Sequence, residues 1–255
     1  MPRTARKKSA SGIYHLVVRG INHQNIFEYP EDRQKYLDNL KSVKEISGFK
    51  LYGYCLLDNH AHLLIEEEEE SLAIIFKRMG ARYVIWFNRK YERTGPLFQG
   101  RYHSEAVEND KYLLTALRYI HQNPVKAGLC KNPQVYHWSS YNDYCGKDAG
   151  ITDTALVLEL FSSDITKQKN LFAEFMGTDD SNHIDYLDVD KNVPDALKAK
   201  MTMLCGVDSA SGFQALDSSK REEGVLRLRR AGLSIRQIVR MTGVSFKIVR
   251  RIGKY

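Results

Sequence analysis

Apolar and aromatic positions concentrate in three runs in the first half of the chain: "IYHLVVRG" (13–20), "FKLYGYCLLDNHAHLLI" (49–65) and "PLFQGRYHSEAVE" (96–108). Their branched, aromatic and leucine residues predict strands, the second bent or interrupted near Asp58 and the third a strand or hairpin. The stretches between them follow a helical period. "PEDRQKYLDNLKSVKEISG" carries Tyr36, Leu37, Leu40, Val43 and Ile46 on one face and ends in Gly48, a C-cap residue. "SLAIIFKRMGARYVIWFNRKYERTG" predicts a second amphipathic helix ending near Gly95, and "NDKYLLTALRYIHQ" a third, capped by Asn109 or Asp110. That third helix is expected to end around Asn123, because Pro124 biases the residue before it away from helix. The order strand, helix, strand, helix, strand, helix predicts an α+β fold with an antiparallel sheet and packed helices.

Beyond "GKDAG" (146–150), read as a boundary, residues 151 to 205 are acidic and helical in pattern and carry no evident chemistry. The last segment, "KREEGVLRLRRAGLSIRQIVRMTGVSFKIVRRI", predicts a helix, a short helix from Ser234 to Met241, a turn at Gly243 and a final helix from Ser245. This is helix-turn-helix spacing, with Lys247, Arg250 and Arg251 on the candidate recognition helix and Arg236 and Ser245 as further DNA contacts. A basic helical hairpin docked on the body is the plainer alternative. Three parts result: 1–145 as the main domain, 146–215 as a helical linker region, and 216–255 as an all-α helix-turn-helix domain.

Charge sharpens this division. Residues 220 to 255 hold eleven lysines and arginines against two glutamates, a surplus of nine in a chain whose total is +7, so the other 219 residues sum to −2. A cationic end on a nearly neutral body suggests a nucleic-acid anchor. Cys55, Cys130, Cys145 and Cys205 form no CxxC pair, which argues against a zinc knuckle or disulfide framework. No apolar run approaches the roughly 20 residues of a membrane span. The opening "MPRTARKKSASG" has no signal-length apolar stretch behind it and reads as the basic arm of a cytoplasmic, nucleoid-associated protein.

The candidate chemistry starts at "NHAHLLI". In a strand, His60 and His62 point the same way and Ala61 the other. Strand histidines are more often satisfied in cores than metal-bound, so the pair alone supports either reading. On the third helix, Tyr119 and Asn123 stand four apart and share a face opposite the apolar stripe Leu113, Leu114, Leu117 and Ile120. A phenol and an amide are thereby aimed together, and the histidine sheet is the available target. With 15 tyrosines in the chain, spacing does not by itself select Tyr119 over Tyr112. The run Glu66 to Glu70 reads as a solvated acidic turn rather than a ligand set. Arg78, Arg82 and Lys126 are the candidate phosphate contacts in the main domain, amid aromatics suited to base stacking. His103 and His121 are expected at the surface or behind the ligands.

"NHAHLLI", "WFNRKYERTGPLFQGRYHSEAVE" and "YLLTALRYIHQNPVKAGL" followed by "WSSY" resemble the single-tyrosine HUH transposases, in the REP-associated tyrosine transposase branch, from about residue 12 to 145. The resemblance implies a ferredoxin-like HUH nuclease core. It further implies Mg²⁺ or Mn²⁺ on His60 and His62, Tyr119 as the catalytic nucleophile and Asn123 as third ligand, with Gln122 the alternative. The implied substrate is single-stranded or hairpin DNA at repeat ends, cleaved through a 5′-phosphotyrosine and rejoined without nucleotide hydrolysis, with duplex binding through the helix-turn-helix and homodimerisation left open. The absence of any GxxxxGK[ST] loop fits that chemistry. A second hypothesis is a non-catalytic DNA-binding regulator on the same scaffold, which predicts a damaged site; both histidines and the tyrosine are present. A histidine-triad hydrolase would need a histidine at position 64, where Leu64 stands.

Overall fold

The computed structural model describes residues 8–146, 150–178, 195–208, 210–214, 216–244 and 246–252. Its first half runs β1 (Ile13–Arg19), α1 (Pro30–Ser47), β2 (Lys50–Leu57), β3 (His60–Glu66), α2 (Leu72–Lys90), β4 (His103–Ala106) and α3 (Asp110–Lys126). The four strands form one antiparallel sheet in the order β2-β3-β1-β4. This is the ferredoxin-like β-α-β-β-α-β arrangement, in which β3 separates β1 from β2.

Local chemistry sets the element ends. Pro30 opens α1, the Asp32 carboxylate accepts from the N–H groups of Glu28 and Tyr29 at 2.7 and 2.9 Å, and Gly48 closes it in the left-handed region at φ 71°. The interruption expected near Asp58 is a tight hairpin turn. There the Asp58 carbonyl accepts from Ile26 and Phe27, and its carboxylate pairs with the Arg33 guanidinium. The second helix stops at Lys90, short of Gly95, through the Tyr91 C-cap.

The third helix corrects the expectation that it ends at Asn123. It continues to Lys126 with the buried Pro124 inside it. Proline removes one helical N–H and crowds the turn before it; so close to the end the loss is confined to one bond, and Ala127 still donates to Asn123 O at 2.8 Å. Gly128, at φ 72°, then turns the chain away.

The two sheet faces have separate cores. Leu16, Val18, Leu56, Ala61, Leu63 and Ile65 pack under α1 and α2. On the other face Cys55, Leu57 and Leu64 meet Leu113, Leu117 and Ile120 of α3. The region expected as a helical linker is helical among its described residues, and its two ends join different cores. Val157, Leu158, Phe172 and Met176, from α5 (Ala155–Glu159) and α6 (Ile165–Gly177), extend the α3 core. Met201 and Phe213, from α7 (Asp195–Cys205) and α8 (Ala210–Gln214), join the C-terminal one. Within "GKDAG", residues 147 to 149 lie outside the described residues.

The C-terminal helices are α9 (Ser218–Arg230), α10 (Ile235–Thr242) and α11 (Phe246–Ile252). As expected, Ser234 caps α10, its hydroxyl accepting from the Gln237 N–H, and Gly243 ends that helix at φ 68°. Ser245, expected as the next cap, lies outside the described residues, as do the side chains of Arg236 and Lys247. Among the described residues, no helix is long and apolar enough to cross a membrane.

Candidate active site

Strand register places the site. Across the antiparallel pairs, residues directly opposite share a sheet face. Arg19 pairs with His60, Val17 with His62 and His15 with Leu64, so His15, Arg19, His60 and His62 all belong to the face that α3 covers. Helical spacing then brings Tyr119 and Asn123 down onto that face.

The resulting cluster is compact. His62 lies 1% exposed at its centre, its ring centroid 4.9 Å from His60, 5.2 Å from His15 and 5.5 Å from Tyr119. Its Nδ1 is 3.0 Å from His15 Nε2, and its Nε2 is 3.1 Å from the Asn123 amide nitrogen. The His60 Nδ1 hydrogen-bonds the Asn59 side-chain oxygen. Tyr119 is half-buried, with the Lys126 ammonium 5.3 Å from its ring centroid.

Electrostatics favour neutral rings. Burial, followed by the charges of His60, His15 and Arg19, holds the His62 pKa well below the usual histidine value. Burial alone pushes His15 down to about 3. A neutral imidazole is the form that ligates metal.

The donor set suits a divalent ion. Asn59 accepts the Nδ1 hydrogen of His60, which leaves the His60 Nε2 with its lone pair, and a proton on His62 Nδ1 donated to His15 would do the same for His62. Amide nitrogen and oxygen exchange places by a flip of the Asn123 group, which sets its oxygen beside His62 Nε2. Among the described residues, no group of three or more His, Cys, Asp or Glu side chains could hold a metal. The ligands on offer are therefore two imidazoles and an amide, a set that leaves positions open for phosphate oxygens.

Several residues singled out in the sequence lie elsewhere. Gln122, the alternative ligand, donates instead to Met176 O of α6. Arg78 pairs with Glu70 and bonds Ser47, and Arg82 donates to Ser42 at 3.0 Å, so both face α1 rather than Tyr119. The acidic turn is engaged at the surface: Glu66 accepts from Tyr52, Glu67 from the Leu72 N–H, and Glu68 pairs with Lys50. His103 is exposed, whereas His121 is fully buried, 2.8 Å from Ser140 Oγ and ringed by Tyr141, Tyr144 and Phe172, which makes it a core residue. Arg250 and Arg251 are exposed on α11. Three site residues escaped the sequence reading: His15, Arg19 and Asn59. The polar residues at alternate positions of "HLVVR" were the available signal.

A ferredoxin-like sheet presenting a histidine pair to a helix-borne tyrosine has the make-up of the tyrosine transposases that the sequence resembles. Comparison of the chain points the same way: residues 8–123 match the family described as "Transposase IS200 like". A Haemophilus influenzae protein, named as a candidate REP-associated tyrosine transposase, is 30% identical over 114 residues, which make up 40% of this chain and 64% of the relative's length. Among solved structures, a REP-associated tyrosine transposase bound to a REP hairpin aligns at 18% identity and a TM-score of 0.49, over 61% of this chain and 96% of that one. A candidate transposase from Deinococcus radiodurans aligns at 16% identity and a TM-score of 0.33, over 43% of this chain and 89% of that one.

Proposed function

We propose that the protein is a metal-dependent transposase of the REP-associated type, which cleaves and rejoins single-stranded or hairpin DNA through a covalent bond to Tyr119. The observation that carries this reading is the contact of His62 with both Asn123 and the Tyr119 ring at the centre of a buried histidine cluster. The family match over residues 8–123 and the name of the Haemophilus influenzae relative support the same reading.

Magnesium or manganese, held by His60, His62 and the Asn123 amide oxygen, would supply positive charge to the non-bridging oxygens of the scissile phosphate. The chain's own residues do the rest. Tyr119 Oη forms a bond to phosphorus as the bond to the 3′-oxygen breaks, which leaves a 5′-phosphotyrosine and a free 3′-hydroxyl. The phenol loses its proton and the departing oxygen gains one. A free phenol has a pKa near 10, and the Lys126 ammonium beside the ring favours the phenolate. Arg19, 5% exposed and close enough for its charge to act on His62, adds attraction for the incoming phosphate. Because the phosphodiester is exchanged for a phosphotyrosine, rejoining needs no external energy source. The exposed Arg250 and Arg251 on α11 suit a second, duplex contact.

The test is incubation with Mg²⁺ or Mn²⁺ and a pool of labelled hairpin oligonucleotides, followed by a denaturing gel. A metal-dependent protein–DNA adduct is expected, lost in Tyr119→Phe, which keeps the ring and removes only the nucleophile. DNA binding without any adduct would overturn the cleavage reading and favour a DNA-binding regulator.

A further inference from the structure

Between α2, the end of β1 and residues 96–102 lies a cavity of about 460 Å³, within the size range of small-ligand sites. Its origin is a mismatch between neighbouring strands. Gln99 donates to Arg19 O and Val17 pairs with His103, so residues 100, 101 and 102 stand against Val18 alone. The surplus bulges away from the sheet, with Gly100 at φ 70°, and opens the space beside α2.

The walls are aromatic and the charge is of one sign. Phe76 and Tyr102 lie 4.4 Å apart between ring centroids, tilted 35° to each other, and Phe98 and Val84 complete an apolar lining. Lys77, Arg101 and Arg19 also line it, with no carboxylate among the lining residues. Gly80, inside α2, lines it too, and a Cβ added there would meet nothing within 4 Å. Glycine costs helix stability relative to alanine, and no crowding by the chain requires it here. The room it leaves belongs to the cavity.

Arg19 ties the cavity to the tyrosine site, since this residue borders the one and its charge acts on His62 in the other. We propose that this cavity receives a single unstacked nucleobase of the DNA strand adjoining the scissile phosphate, stacked against the contacting Phe76–Tyr102 pair, while Lys77 and Arg101 at the exposed rim hold its phosphates. Base-sized flat apolar walls with a cationic rim are the chemistry of single-strand recognition. The assignment rests on the reading of Tyr119 as a DNA-cleaving nucleophile, and it has its own readout.

The experiment is an abasic scan. The hairpin oligonucleotide that forms the adduct, or the tightest binder if none does, is made with one abasic site at each single-stranded position in turn. Each is titrated by fluorescence anisotropy against Tyr119→Phe protein without divalent metal, and against the same protein carrying Gly80→Leu, which fills the cavity, or Phe76→Ala. Gly80→Leu should fold at least as stably as its parent, by thermal melting. One abasic position should weaken binding to the open-cavity protein about tenfold, and the same position should change affinity by less than about twofold once Gly80→Leu is present. A scan without a sensitive position, or one equally sensitive in both Gly80→Leu and Phe76→Ala, overturns the assignment. Adduct formation by the metal-loaded native protein separates the two readings. An adduct without coupling removes the pocket and leaves the nuclease, and coupling without an adduct does the reverse.

Discussion

His15 is fully buried, and burial has driven its pKa down to about 3, so the ring stays neutral at a position where an unbonded imidazole would be costly. Its Nε2, 3.0 Å from His62 Nδ1, gives that ring a reason to be there. In one tautomer pair His62 donates from Nδ1 and keeps the Nε2 lone pair for a metal; in the other it does not. The partner on a ligand's second nitrogen thereby sets both ring orientation and basicity. His15→Ala should weaken Mn²⁺ binding about 10- to 100-fold, measured by electron paramagnetic resonance titration of the apoprotein. His15→Gln, which keeps an acceptor near the same place, should recover much of the loss. Unchanged Mn²⁺ affinity in His15→Ala would refute the positioning role, and a fall in melting temperature without a fall in affinity would make His15 a packing residue only.

At the scale of elements, the site depends on how strand ends are turned. Gly20 follows β1, donates to Asn59 O at 2.9 Å, and sits so close to the next turn that a Cβ would lie 2.0 Å from Gln24 O. A backbone carbonyl cannot swing aside as a side chain can, so Gly20→Ala should cost about 1–3 kcal/mol. It should also shift Asn59, and with it His60. Urea denaturation checks the stability. Mn²⁺ affinity checks the geometry, and a variant as stable and as tightly metal-binding as the native protein would show that the turn relaxes freely. This dependence explains what could be read in advance. His60, His62, Tyr119 and Asn123 are pairs within single elements, and the periods of strand and helix put each pair on one face. His15 and Arg19 join them only through the pairing of β1 with β3, a contact between segments about 45 residues apart whose register no local period specifies. The third helix shows the opposite failure. A sound local rule about Pro124 lost to tertiary packing, which buries that proline and brings Asn123 against His62 Nε2.

At the scale of the molecule, the C-terminal helices are docked on the body rather than hung from it. α10 packs against the short helical turn Ile21–His23 that follows β1. The Gln214 amide donates to Thr242 O at 2.9 Å and reaches His23 O at 3.4 Å, and the Arg221 charge acts on Glu28 and Asp58 of the N-terminal unit. Only Gly20 separates the Ile21–His23 turn from Arg19, so DNA held on α11 and DNA held at Tyr119 would share one rigid frame, and the spacing between the two contacts would be a property of the fold instead of a linker length. Gly243 is the residue that permits this docking. Its φ of 68° strains any L side chain, and a Cβ there would lie 2.3 Å from His23 O and 1.8 Å from Gln214 Nε2. Gly243→Ala should therefore release the C-terminal helices, at a cost of about 1–3 kcal/mol. Limited proteolysis between residues 146 and 216 should become several-fold faster, while adduct formation on a hairpin lacking flanking duplex stays near the native rate. With flanking duplex attached, the native protein should gain affinity and Gly243→Ala should lose that gain. Gln214→Ala separates the two causes, because it removes the bridging hydrogen bonds and leaves the α10 cap intact. If it reproduces the proteolysis of Gly243→Ala, the docking contact is what failed. If both variants resist protease as the native protein does and keep the duplex gain, the rigid-frame account falls.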